Sequence, residues 1–122
     1  MSQLRVLLVD DEVELVTALV ERLGYRGIEA EFALNGNKAI EMIRTESYDV
    51  VILDFKLPGI SGVEVHKVIK AERPNLPVLL ITGHGAPPDH IPGKPGEHYE
   101  FLEKPVGLDI LLGKIKEVTG NK

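Results

Sequence analysis

Three short apolar runs, each closed by charge, limit what this chain can fold into. Leu4–Val9, interrupted only by Arg5, runs into Asp10-Asp11-Glu12. Val50–Leu53 runs into Asp54, and Phe101-Leu102 into Glu103-Lys104-Pro105. Runs of this length without polar alternation suit strands covered on both faces. Between them the period changes to that of helices. Val16, Leu19, Val20 and Leu23 share one helical face, with Gly24 and Gly27 expected to end that helix. Asn35-Gly36 reads as a turn before a short helix carrying Ala39, Ile40 and Ile43. A third helix is expected over about Gly62 to Glu72, facing inward with Val65, Val68 and Ile69. Leu108, Leu111, Leu112, Ile115 and Val118 mark the last one. Ile28–Phe32 alternates apolar residues with Glu29 and Glu31, as a strand nearer an edge does. Val78–Ile81 and Tyr99–Leu102 supply the fourth and fifth strands. Strands alternating with helices predict an α/β fold, a doubly wound five-stranded parallel sheet with helices on both faces. Residues 1–122 read as a single domain without internal repeat.

One stretch breaks the alternation. Residues 83–96 hold four glycines and four prolines in fourteen positions, where a fourth helix is due. Pro92 and Pro95 have no N–H to give, and each interior proline costs a helix about 3 kcal/mol. A fourth helix that is irregular or missing is therefore expected here.

Composition narrows the function. The chain has 122 residues, enough to bury a core without staples, and no cysteine to form disulfides or thiolate metal sites. No run approaches the ~20 apolar residues of a membrane span, and no signal-peptide pattern opens the chain. These features fit the cytoplasm. With a net charge of −5 and no basic block, the chain is a poor candidate for direct nucleic-acid binding.

The charges that close the runs are the candidate site. In an open parallel sheet the ligand crevice lies beyond the carboxyl ends of the strands. Asp10, Asp11, Asp54 and Lys104 would then meet at one point. An acidic trio suits a divalent cation and a lysine beside it suits an anion, a pairing that suggests Mg²⁺ with a phosphoryl group. An Asp-Asp pair after a strand is also an ordinary way to cap a helix. Asp54 and Lys104 in the same crevice turn the reading toward metal. Glu12 is expected to be a first-turn charge that complements the helix dipole.

The acidic pair Asp10-Asp11, Asp54 with its trailing Leu57-Pro58-Gly59 and Gly62, Thr82, and Lys104-Pro105 stand at a characteristic spacing. In these residues the chain resembles the receiver domain of bacterial two-component response regulators, over roughly residues 4–119. The resemblance implies a flavodoxin-like (βα)5 fold. It implies that Asp54 is the phosphoacceptor, charged by a sensor histidine kinase or a phosphotransfer protein. It assigns Mg²⁺ contacts to Asp11, Asp54 and the backbone carbonyl of Lys56, with Asp10 acting largely through water. Lys104, aimed by a commonly cis bond to Pro105, would pair with Asp54 and later with the phosphoryl group. Thr82 would donate its hydroxyl to that group and move together with Phe101 as the switch. By the same resemblance, Lys56 and His84 would flank the phosphoryl group and affect how long it survives, the alternative being that both are solvated loop residues.

Such a domain catalyses its own phosphorylation and slow hydrolysis, yet is no conventional enzyme. It acts on a downstream output domain or protein, either as a stand-alone receiver or as part of a longer regulator. Without a regular fourth helix, the common dimer through the fourth helix, fifth strand and last helix is not expected. The rival reading is a pseudo-receiver that never carries phosphate, against which the intact Asp10, Asp11, Asp54, Thr82 and Lys104 argue. A phosphatase or nucleotide enzyme on a similar sheet is disfavoured, because the chain has neither an Asp-x-Asp after the first strand nor a Gly-rich phosphate loop.

Overall fold

Residues 3–82, 100–103 and 106–120 are described by the computed structural model. Among the described residues nine elements follow in order: β1 (Arg5–Val9), α1 (Val13–Tyr25), β2 (Glu29–Ala33), α2 (Gly36–Thr45), β3 (Val50–Asp54), α3 (Gly62–Glu72), β4 (Val78–Thr82), β5 (Glu100–Glu103) and α4 (Leu108–Thr119). The strands form one sheet in the order β2-β1-β3-β4-β5, and every pairing is parallel. The expected doubly wound five-stranded sheet is what forms, with the acidic, alternating β2 at an edge. The irregular or missing fourth helix expected over residues 83–96 lies outside the described residues, as do Lys104 and Pro105.

Side-chain alternation sorts the sheet's apolar residues into two cores. Leu7, Val9, Val51, Leu53, Val78 and Leu80 pack on one face under α2 and α3, against Ala39, Ile40, Ile43, Val65 and Ile69. Val6, Leu8, Val50, Ile52, Leu79 and Ile81 pack on the other under α1 and α4, against Val16, Leu23, Leu111, Leu112 and Ile115. This two-sided burial is why β1, β3 and β4 read as unbroken apolar runs.

Two local readings are corrected. Gly24 does not end α1, which continues to Tyr25. The helix stops in a Schellman arrangement, with the Ile28 amide donating to the Leu23 carbonyl and the Gly27 amide to that of Gly24. Asn35 does more than turn the chain. It caps α2, its side-chain oxygen accepting from the Lys38 amide at 2.8 Å, and Gly36 is already helical.

Candidate functional site

Strand register brings the carboxylates together. Val9 pairs with Leu53 across β1 and β3, so the next residues, Asp10 and Asp54, leave neighbouring strands at the same level. Parallel strands lie about 4.8 Å apart. One carboxylate oxygen from each of Asp10, Asp11 and Asp54 lies within 4.8 Å of the others. Asp10 and Asp54 are each only 5 % exposed, whereas Asp11 is exposed. In this strand order the chain reverses its winding between β1 and β3, the place where doubly wound sheets hold ligands.

The two buried carboxylates are held in the same way. Asp10 Oδ1 accepts from the Glu12 amide at 2.9 Å, and Asp54 Oδ1 accepts from the Lys56 amide at 3.1 Å. Each turn fixes a rotamer from two residues downstream. Helix capping does not explain the Asp-Asp pair. The cap position of α1 is Glu12, whose own side chain makes no capping hydrogen bond. Glu12 thus stands at the cap and not in the first turn, where the acidic residue is Glu14.

The backbone behind Asp54 is set by a close approach. A Cβ on Gly62 would crowd the Asp54 carbonyl, and would stand 2.6 Å from the Phe55 carbonyl oxygen and 2.8 Å from Phe55 Cα. With no side chain there, the first turn of α3 sits directly on the Asp54–Phe55 peptide, and the Gly62 amide donates to Phe55 at 3.1 Å. The Phe55 amide donates to Ile81 on β4 at 2.8 Å. On the Asp10 side, the Asp10 amide donates to Ala33 on β2 at 3.1 Å.

The remaining expected residues are placed by the backbone alone, or not at all. Thr82 closes β4, one residue beyond Ile81, which pairs with Asp54, and is itself paired with Glu103. Phe101 lies in β5, paired with Leu80. Lys104 follows the last residue of β5. Lys56 is exposed in the loop after β3.

Three oxygen donors from carboxylates, two of them buried, form a donor set suited to a hard divalent cation such as Mg²⁺. A groove of about 550 Å³ opens at the other end of the sheet, lined by residues of 46–49 and 72–77. It lies away from the clustered aspartates, and its acidic side chains are already engaged. Glu46 and Glu72 pair with Arg5 and Arg44, and Asp49 accepts from the Arg5 amide.

Comparison with known proteins gives one answer. The response regulator receiver domain model matches residues 6–116. The transcriptional regulatory protein TcrA of Mycobacterium tuberculosis is 34% identical over 118 residues, covering 97% of this chain and 47% of that protein. The C4-dicarboxylate transport regulator DctD of Pseudomonas aeruginosa is 34% identical over 116 residues, covering 94% of this chain and 25% of that protein. The chain thus spans about half the length, or less, of these curated relatives. Among solved structures, a CheY-like receiver domain protein from Methanospirillum hungatei superposes with a TM-score of 0.88 at 27% identity, covering 98% of this chain and 95% of that one. The response regulator TrrA of Thermotoga maritima, solved in complex with Mg²⁺–BeF, superposes at 0.79 with 32% identity, covering 95% of this chain and 99% of that one. Among the described residues no helix is long and apolar enough to cross a membrane. The chain is a response regulator receiver domain of the two-component signalling systems.

Proposed function

We propose that this domain is a phosphorylation-dependent switch in which Asp54 is the phosphoacceptor. The observation that carries the reading is the buried Asp54 carboxylate at the end of β3, with oxygens of Asp10 and Asp11 within 4.8 Å. The phosphoryl donor is phosphohistidine on a sensor histidine kinase or a phosphotransfer protein. An Asp54 oxygen attacks the phosphorus, the P–N bond breaks, and its electron pair returns to the imidazole nitrogen, leaving an aspartyl phosphate.

Asp10, Asp11, Asp54 and the Lys56 carbonyl would hold Mg²⁺, which when bound offsets the negative charge of nucleophile and phosphoryl group. TrrA, solved in complex with Mg²⁺–BeF, supports expecting that ion at the three clustered carboxylates here. The chain's own residues supply orientation. The Lys56 amide fixes one Asp54 oxygen, and the close seat of Gly62 fixes the peptide from which Asp54 projects. Thr82 donates its hydroxyl to the transferred group and Lys104 its ammonium. Thr82 and Phe101 then shift together to report the modified state. The domain works in the cytoplasm, on an output domain or separate protein downstream. The same residues catalyse slow hydrolysis of the phosphate.

Intact mass after treatment with a small phosphodonor and Mg²⁺ tests the reading. A single hydroxylamine-labile phosphate that maps to Asp54 is expected. Absence of any adduct identifies a pseudo-receiver, and repeated turnover of donor without adduct identifies a phosphatase.

A further inference from the structure

We infer that Gly36, the first residue of α2, is a positioning residue for the loop after Asp54 and acts through Ile60. The inference rests on the reading of Asp54 and the Lys56 carbonyl given above, and concerns what holds them in place. The loop between β3 and α3 spans residues 55–61. Its near end is fixed by Gly62 against the Asp54–Phe55 peptide. Its far end meets α2. A Cβ on Gly36 would fall inside van der Waals contact of Val65 Cγ2, 2.6 Å from Ile60 Cγ2 and 3.3 Å from the Ile60 carbonyl oxygen. Both methyl groups are bonded directly to Cβ of a β-branched residue, so neither can move aside without rotating the whole side chain.

The two neighbours are not equally able to yield. Val65 is fully buried within α3, in the core between sheet and helices. Ile60 is half-buried in the loop, packed on the same core together with Phe55 and Leu57. Close-packed interiors resist displacement more than a loop does. A methyl group at Gly36 therefore pushes the loop through Ile60. Four residues upstream in that loop is Lys56, whose amide holds Asp54 Oδ1 at 3.1 Å. The start of α2 is itself fixed by the Asn35 cap, so it gives little. Gly36 thus sets the height at which Lys56 meets Asp54, though it touches neither.

The test compares wild type with Gly36→Ala, alone and combined with Ile60→Ala or with Val65→Ala. Two readouts are taken by amide NMR: the Lys56 and Asp54 resonances in metal-free protein, and their titration with Mg²⁺. Gly36→Ala is expected to shift the metal-free Lys56 resonance and weaken Mg²⁺ binding roughly tenfold, the lower end for loss of an outer support. Ile60→Ala in the same chain should restore both, because it removes the methyl that transmits the push. Val65→Ala should restore stability without restoring the Lys56 resonance. Metal-free spectra and Mg²⁺ binding unchanged in folded Gly36→Ala would overturn the inference, as would equal rescue by Val65→Ala. Should Gly36→Ala fail to fold, Ile60→Ala alone removes the contact from the other side. It should disturb the Lys56 resonance, and an undisturbed one would overturn the inference. If wild type binds no Mg²⁺, the proposed metal site fails, while the metal-free Lys56 resonance still decides the role of Gly36.

Discussion

The two ends of the sheet treat charge in opposite ways. At the amino-terminal ends of the strands, charges are paired off. Arg5 lies between Glu29, Glu31 and Glu46, at 3.6, 3.5 and 3.4 Å, and 5.1 Å from the centre of the Tyr48 ring. Its amide donates to Asp49 and its guanidinium to the Ser47 carbonyl, both at 2.7 Å. Desolvation alone would lower the Arg5 pKa, but the three glutamates outweigh it and raise it. Nearby, Arg44 joins α2 to α3 through Glu72 at 2.6 Å. At the carboxyl-terminal ends, three carboxylates gather, and two of them are buried. Like charges placed together raise the free energy of the folded state unless something of opposite sign joins them. The first end serves folding. The second gathers carboxylates into a donor set that suits a cation.

If that division holds, substitutions at the two ends should separate. The largest effect belongs to Asp54→Asn, which should abolish the hydroxylamine-labile adduct completely while the fold persists, as circular dichroism and intact mass would show. Persistence of the same adduct would place the phosphoacceptor elsewhere. Next is Gly62→Ala, whose new methyl meets backbone atoms that cannot swing away. It should cost about 1–3 kcal/mol in urea unfolding, typical of overpacking, and weaken Mg²⁺ binding as well.

At the other end, Tyr48 donates to Glu31 at 2.5 Å, so Tyr48→Phe should cost about 1 kcal/mol and leave the Mg²⁺ response unchanged. Burial, followed by the bond to Glu31, raises the Tyr48 pKa. A folded pKa above the unfolded one stabilises fully below the ordinary tyrosine value of about 10 and is lost as pH rises through the folded value. Alkaline titration of stability should therefore fall more steeply in wild type than in Tyr48→Phe.

The smallest effect is expected from Arg44→Gln. The hydrogen bond from Arg44 lowers the Glu72 pKa. That contribution is present above the ordinary carboxylate range and disappears as pH falls through the folded value. The variant should show a shallower acid limb. The difference should shrink in high salt, because the pair is exposed.

Much of the carboxylate end was legible because strand burial and strand ending are written in consecutive residues. Val50–Leu53 followed by Asp54 states both where β3 runs and where it stops. What holds the site was less legible, because it depends on contacts between elements distant in sequence. Gly36 reads as half of an Asn-Gly turn, and only its distance from Ile60 shows a close approach. Arg5 reads as a flaw in an apolar run, yet it begins β1 at the level where Glu29, Glu31 and Glu46 converge. Glu12 carries a helix-start signature and stands at the cap without bonding there through its side chain. The Asp10 and Asp54 turns repeat one local pattern, a carboxylate accepting from the amide two residues on, which the sequence permits but does not distinguish from capping.

Thermal unfolding with and without Mg²⁺ tests the division between the two ends most directly. Wild type and Tyr48→Phe should both melt higher as Mg²⁺ rises, because an ion that binds only the folded crevice stabilises by mass action, about 2.7 kcal/mol at a hundredfold excess over Kd. Asp54→Asn should lose that rise. A wild-type melting temperature indifferent to millimolar Mg²⁺, or an equal rise in Asp54→Asn, would contradict the assignment of Asp10, Asp11 and Asp54 as a shared cation site.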